Sequence, residues 1–275
     1  MPVKVITDST AALDPGMASA HGIAVVPCRV VIGGVGYPDD AVSLQELLDR
    51  FEEGVTTAGP SPGDFGEALA GAEDGAVVIT VAGNLSSSYK AAGAAASLAS
   101  DRGVRVVDGG TAAGAQALAV LHAARVAAEG ANLDEVEAAA RLVLGKVRLF
   151  GALETFEYLV RGGRLNSVVG RLAAGLRIHP IFELRRGNIV SLAPCFSQDR
   201  AVGRLLGYWR RSRVEGARLH IVSLHALAEE NARRLLEEVR REVEPATGLV
   251  SEFGPVMVVH TGPGLLGLAW WWEEG

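Results

Sequence analysis

The chain predicts an α/β fold in two parts: an N-terminal parallel-sheet α/β domain over residues 1–145 and a C-terminal α+β domain with a mixed sheet over 146–275. Three observations carry that prediction. Short β-branched runs alternate with helical segments as far as about Lys146, the arrangement of βαβ units. Beyond it, short strands follow one another across glycine turns before helices resume. No internal repeat or low-complexity linker separates the halves, so they are expected to share a broad interface.

Val3–Ile6 is a short apolar strand that ends in Thr7-Asp8-Ser9-Thr10, side chains that hydrogen-bond their own backbone in turns. Ile23–Ile32 reads as a second strand, turned by Gly33-Gly34. Ser43-Leu-Gln-Glu46 has the spacing of a capping box and starts a helix running to about Glu53. Thr57 follows in a loop stiffened by Pro60 and Pro62, and Gly63–Ala72 reads as a helix. Val77–Val81 is a buried strand that breaks at Gly83-Asn84 and delivers Ser86, Ser87 and Ser88 to the start of a small-residue helix. Val104–Val107 repeats the pattern, with Asp108 and a Gly-Gly-Thr turn leading into the helix Ala112–Ala128. The three polar turns all follow strands, so they are expected at the carboxyl edge of the sheet, where open α/β sheets bind ligands.

Asn132–Lys146 is a capped helix, and Phe156–Leu165 is half helix and half basic glycine turn. His179–Leu184 and Ile189–Pro194 read as strands across Arg186-Gly187-Asn188. The helices Asp199–Arg213 and Leu227–Val243 flank the strand Arg218–Leu224. Val256–His260 reads as a last core strand, turned by Thr261-Gly-Pro-Gly264, with Leu265–Trp272 returning. Trp270-Trp271-Trp272 suit a tunnel closure, an oligomer contact, a membrane-surface contact or a core, and the residues alone leave these open.

Composition removes several classes of function. A net charge of −6 argues against nucleic-acid binding. No run approaches the ~18 apolar residues of a membrane span. Two distant cysteines, Cys28 and Cys195, without a CxxC spacing fit a reducing compartment. Val3–Ile6 runs straight into a polar turn, so no secretory leader is expected and a cytoplasmic address is. Nucleotide loops, a nucleophile elbow and zinc spacings are all missing, so neither metal nor cofactor is expected. Asp39-Asp40 could hold Mg²⁺, but adjacent carboxylates in a turn are ordinarily solvated charges, and that is the reading taken.

What remains is a set of neutral hydrogen-bond donors. A helix start carrying Ser86–Ser88 suits an anion, because unpaired N–H groups and the helix dipole favour negative charge by about 0.3–1 kcal/mol. It equally suits an N-cap that serves only its own helix. Thr57 sits in a rigid loop. His260 precedes glycines that allow close backbone approach, and a satisfied core histidine is an equal reading of it.

In this order the pieces resemble the DegV family of bacterial fatty-acid-binding proteins, from Val5 to Leu268. The motifs are TDST at Thr7–Thr10, T-x-x-P-S-P at Thr57–Pro62, LSSSY at Leu85–Tyr89, EYLVRGGRL at Glu157–Leu165, IHPIFEL at Ile178–Leu184 and HTGPG at His260–Gly264. The resemblance implies a two-domain protein holding one long-chain fatty acid in a tunnel between the domains. By motif match Thr57, Ser86 and His260 would bind its carboxylate; Asn84, Ser87, Ser88 and Gly262 are candidates for additional head-group contacts. It also implies a partner, a separate ATP-dependent fatty-acid kinase that makes the acyl phosphate for lipid synthesis. Arg161 and Arg164 of the basic turn are candidates for docking that kinase. The usual T-S-Q-P-S-P is here Thr57-Ala58-Gly59-Pro60-Ser61-Pro62, and the usual S-G-T-Y is Ser86-Ser87-Ser88-Tyr89.

On this expectation the protein is a non-catalytic carrier. A chain of about 16 carbons would bury roughly 15 methylenes at about 0.8 kcal/mol each, a gross gain near 12 kcal/mol that immobilisation partly offsets. Two other classes compete. One is an enzyme acting on a small anionic or phosphorylated ligand at the sheet edge, with Asp8, Asp108 and His260 as acid/base groups. The other is a structural or regulatory module whose lipid is only a packing element.

Overall fold

The computed structural model describes residues 2–99, 103–164 and 179–275. Leu165 of the basic motif and Ile178 of the IHPIFEL motif lie outside them.

The N-terminal alternation builds a parallel sheet from β1 (Lys4–Asp8), β2 (Ile23–Val26), β6 (Ala76–Thr80) and β7 (Val104–Asp108), in the order β2-β1-β6-β7. The stretch read as one strand over Ile23–Ile32 divides at Pro27-Cys28. Its second part, β3 (Arg29–Ile32), joins β4 (Val35–Pro38) and β5 (Thr56–Ala58) in a separate antiparallel sheet. Proline, lacking an N–H, cannot continue the ladder, and the break sends the chain to another sheet. Short helices α1 (Pro15–Ala20), α2 (Leu44–Asp49) and α3 (Pro62–Ala68) connect these strands. The Ser43 box stops sooner than expected, at Asp49, with a 3₁₀ turn over Phe51–Glu53. α3 carries a full capping box, Ser61 with Asp64, that the prolines around it obscured.

α4 (Ser88–Leu98) follows β6; α5 (Ala113–Ala128) and α6 (Leu133–Lys146) follow β7. α5 is largely alanine and buried over most of its circumference. It contacts β1 and β6 on one side and the strands Arg218–His225 and Leu266–Glu273 on the other. A helix placed between two sheets cannot be amphipathic, and small side chains let both sheets come close. A Cβ on Gly114 would come within 2.8 Å of Val222 Cβ.

The second sheet has six strands and is mixed. It comprises β8 (Arg148–Ala152), β9 (His179–Arg185), β10 (Asn188–Cys195), β11 (Arg218–His225), β12 (Thr247–Glu252) and β13 (Leu266–Glu273), in the order β10-β9-β8-β13-β11-β12. Only β11 and β12 run parallel; the other neighbours are antiparallel. α7 (Glu157–Arg161), α8 (Gln198–Arg211), α9 (Glu229–Arg240) and α10 (Pro255–Thr261) complete the described elements. β12 escaped notice because its residues are half-buried at a sheet edge and carry no clean alternation.

One expectation is corrected, and one open reading closes. Val256–His260 is a helix, not a strand: Pro255 occupies its first turn, where a missing N–H costs nothing. The last core strand is β13, and its tryptophans are core. Trp271 faces the interior between the sheets, while Trp270 and Trp272 face the outer layer under α8 and α9.

Candidate functional site

A cavity of about 680 Å³ lies between the sheets, within the roughly 300–1,000 Å³ usual for small-molecule sites. Much of its wall is apolar, including Ala112 and Ala113 at the start of α5, Leu149 of β8, Phe182 and Leu184 of β9, and Val256 of α10. Small residues at the α5 start leave the space open.

Polar groups cluster on one part of this wall. Pairing of Thr57 with Val30 fixes β5 at the edge of the small sheet. From there Thr57 Oγ1 reaches His260 Nε2 at 2.8 Å, joining residues 203 positions apart. α10 carries His260 in its last turn and has no side-chain cap of its own. Asp39 supplies the missing partner, accepting the Val256 N–H at 2.8 Å. This corrects the view of Asp39 as a solvated carboxylate: it is buried, and burial raises its pKa.

Burial, then the nearby Arg164 guanidinium, pushes the His260 pKa down to about 4, so its ring is neutral at pH 7. Its Nδ1 is buried with no hydrogen-bond partner among the described residues. A bare lone pair there costs less than a buried unpartnered N–H. The ring proton therefore belongs on Nε2, where it donates to Thr57 Oγ1 and leaves the threonine O–H free to donate onward. Gly162 makes room for this ring: a Cβ at that position would overlap Nδ1 and stand 3.1 Å from Cε1.

Ser86, Ser87 and Asn84 also line the cavity. Ser86 Oγ accepts the Ser88 N–H at 3.3 Å and lies 2.9 Å from Ser88 Oγ. Ser87 is the N-cap residue of α4 but makes no side-chain cap bond. Gly59 packs directly over these serines; a Cβ there would come 2.7 Å from Ser87 Oγ and 3.1 Å from Ser86 Oγ. Asn84 Nδ2 donates to the Gly187 carbonyl at 2.8 Å, so it holds the β9–β10 turn.

Not every predicted residue arrives. Ser88 is fully buried and does not line the cavity. Gly262 does not line it either; its N–H bonds the Val258 carbonyl at 2.8 Å and closes α10. The basic turn divides. Arg161 is exposed, paired with Glu157 at 2.8 Å, with its guanidinium 5.5 Å from the Phe51 ring centre. Arg164 lines the cavity, bonding the Leu85 carbonyl at 3.2 Å and the Gly162 carbonyl at 2.5 Å. Neutral donors are thus not alone: Arg164, and Lys90 from α4, bring cations to the wall. Cationic wall residues were not expected, because glycine turns with arginine usually face water.

The three acid/base groups of the alternative do not meet in this cavity: of them only His260 lines it. Asp8 is fully buried and its carboxylate accepts from the Thr10 N–H, the Thr10 hydroxyl, the Val81 N–H and Gln116 Nε2. Asp108 Oδ1 accepts from the Gly83 and Gly110 N–H groups. Both brace turns at the carboxyl edge of the parallel sheet, and neither lines the cavity. Among the described residues no group of three or more His, Cys, Asp or Glu could hold a metal ion. No helix among them is long and apolar enough to cross a membrane.

Comparison with known proteins agrees with this architecture. The sequence model described as "Uncharacterised protein, DegV family" matches residues 2–273. A DegV domain-containing protein of Streptomyces coelicolor is 34% identical, covering 97% of each chain. A structure described as fatty acid binding of a DegV family protein from Thermus thermophilus superposes with a TM-score of 0.89 at 30% identity, covering 99% of this chain and 100% of that one. DegV of Bacillus subtilis, described as a fatty acid binding protein, gives 0.88 at 25% identity, covering 99% and 100%.

Proposed function

The chain belongs to the DegV family, and from that premise we propose that it binds one long-chain fatty acid, carboxylate towards Thr57, Ser86 and His260, tail in the apolar part of the cavity. The observation that carries this is the continuity of an apolar wall with the Thr57–His260 pair and its neighbouring serines. A neutral imidazole donating to Thr57 leaves a threonine O–H and a serine O–H for one carboxylate, a charge-assisted arrangement stronger than neutral bonds. Arg164 balances the charge nearby. The tail supplies affinity and the head group supplies orientation.

The protein is then a binding subunit without chemistry of its own, organised as domains 1–145 and 146–275 with the ligand between them. It presents the carboxylate to a separate fatty-acid kinase, which transfers a phosphoryl group from ATP and gives the acyl phosphate. Exposed Arg161 is available for docking that partner; Arg164, turned into the cavity, serves the head group. The buried free thiols Cys28 and Cys195 suit a reducing cytoplasm.

Native mass spectrometry of the purified protein tests the binding, followed by denaturing extraction of any lipid. The expected result is one extra mass matching a fatty acid, lost in Ser86→Ala and His260→Ala. An empty protein that also refuses added hexadecanoate would overturn the proposal. Arg161→Glu should keep the lipid and lose acyl-phosphate formation with kinase and ATP; loss of lipid as well would remove the docking role.

A further inference from the structure

We propose that the pair Phe182–Gly151 sets the length of acyl chain the cavity accepts; this rests on the fatty-acid reading above and deepens it. Strand alternation puts Leu149, Gly151, Phe182 and Leu184 on the inner face of the six-stranded sheet, with Gly151 opposite Phe182 and Leu149 opposite Leu184. Gly151 is also opposite Gly267, and Gly267 opposite Leu224. One rung of the inner face therefore reads Phe182, Gly151, Gly267, Leu224, with no side chain at its two central positions.

The Phe182 ring lies across that gap. A Cβ on Gly151 would come 2.5 Å from Phe182 Cε1 and 2.6 Å from Cζ. Side chains on a sheet ordinarily stand out from it; this ring folds flat onto the next strand, and only a glycine there permits it. Because the ring is folded down, the space above it belongs to the cavity, whose wall Phe182 forms. Phe182 is four residues along β9 from the turn at Arg186–Gly187 that Asn84 holds, or about 13 Å at ~3.3 Å per residue. Its neighbours on the inner face, Leu149 and Leu184, line the cavity with it, so the ring belongs to the apolar part of the wall, where the tail is placed.

Adding a methyl at Gly151 must move the ring, since both backbones are held in the sheet. Gly151 does not have a positive φ, so alanine takes its backbone without strain. The displaced ring rises into the cavity and shortens it. Removing the ring instead opens the space over Gly151 to a longer chain, as far as the Leu224 side chain beside Gly267. With both changes the new methyl occupies space that the ring has left, so the double variant is not shortened.

The test uses delipidated wild type, Gly151→Ala, Phe182→Ala and the double variant. Displacement of a fluorescent fatty acid by dodecanoate, tetradecanoate, hexadecanoate and octadecanoate gives a length profile for each. Every methylene denied burial lowers affinity roughly fourfold. Gly151→Ala should therefore lose roughly tenfold or more for the longest acids relative to dodecanoate. Phe182→Ala should move the optimum to longer acids than wild type, and the double variant should not shorten it. Should Gly151→Ala fail to fold, the Phe182→Ala profile decides alone. Profiles identical to wild type would overturn the inference and leave fatty-acid binding intact. A wild type that binds none of the four acids would remove the binding proposal itself.

Discussion

Acidification from about pH 7 to pH 5 should weaken the delipidated protein through His260, and the size of the effect can be worked from its surroundings. In the folded chain burial and Arg164 hold the imidazole at about 4, against 6.5 for an unperturbed histidine. Between those values the unfolded chain binds a proton that the folded chain refuses, so stability is complete above 6.5 and is lost as pH falls towards 4. Over that drop a single such group forfeits about 2 kcal/mol, or about 1–2 kcal/mol after allowing for residual solvent contact. At about 2–4 °C per kcal/mol the melting temperature should fall by several degrees. Burial also depresses His122, His220 and His225, which act in the same direction. Asp8 and Asp39, raised by burial, act in the opposite one. The His260 contribution is therefore the difference between wild type and His260→Gln, measured by calorimetry at both pH values. Hexadecanoate should shrink that difference, because a carboxylate beside the ring favours its protonated form. A wild-type-minus-variant difference that is the same at pH 7 and pH 5 would refute a buried neutral imidazole at residue 260.

Gly162→Ala, in ordinary helical backbone, should press on the His260 ring, lower stability by about 1–3 kcal/mol and weaken hexadecanoate binding; melting and titration read both. Thr57→Val removes the hydroxyl that pairs with His260 and should cost roughly tenfold or more in affinity, about 1–3 kcal/mol, with little change in shape. Asp39→Ala leaves the Val256 N–H buried and unpaired, and should destabilise the protein by about 1–3 kcal/mol as seen in urea titration. Trp271→Ala empties the space between α5 and the six-stranded sheet and should cost about 3–5 kcal/mol, enough to show as a large drop in melting temperature.

Local chemistry made much of this legible in the sequence. Alternating strands and helices to Lys146 are the parallel sheet with its helices, and the polar turns after β1, β6 and β7 do end the strands as expected. Thr57, Ser86 and His260 share one cavity. What escaped depended on partners distant in sequence. The valines before His260 fit a strand or a buried helix equally well, and Pro255 at the first helical turn was the signal that decides between them. Asp39 looked solvated because nothing near it in sequence shows that Val256 lies above it. Arg164 differs from Arg161 only in which way the glycine turn points its side chain, and that direction is a property of the folded turn.

The bond between Thr57 and His260 also has a consequence in time. One partner of the pair, Thr57, is laid down within the first sixty residues, and the other arrives two hundred residues later on a helix whose start is held by Asp39. Synthesis must pass residue 260, and α10 must dock, before a carboxylate meets both partners. A nascent chain offers no complete pair, so on the proposed binding loading would come after folding. A ligand that binds only the folded chain then holds its early and late segments together, and stabilises it by an amount that grows with ligand concentration. On the proposed binding, the lipid would act as a late clasp, and the delipidated protein would open and be degraded sooner.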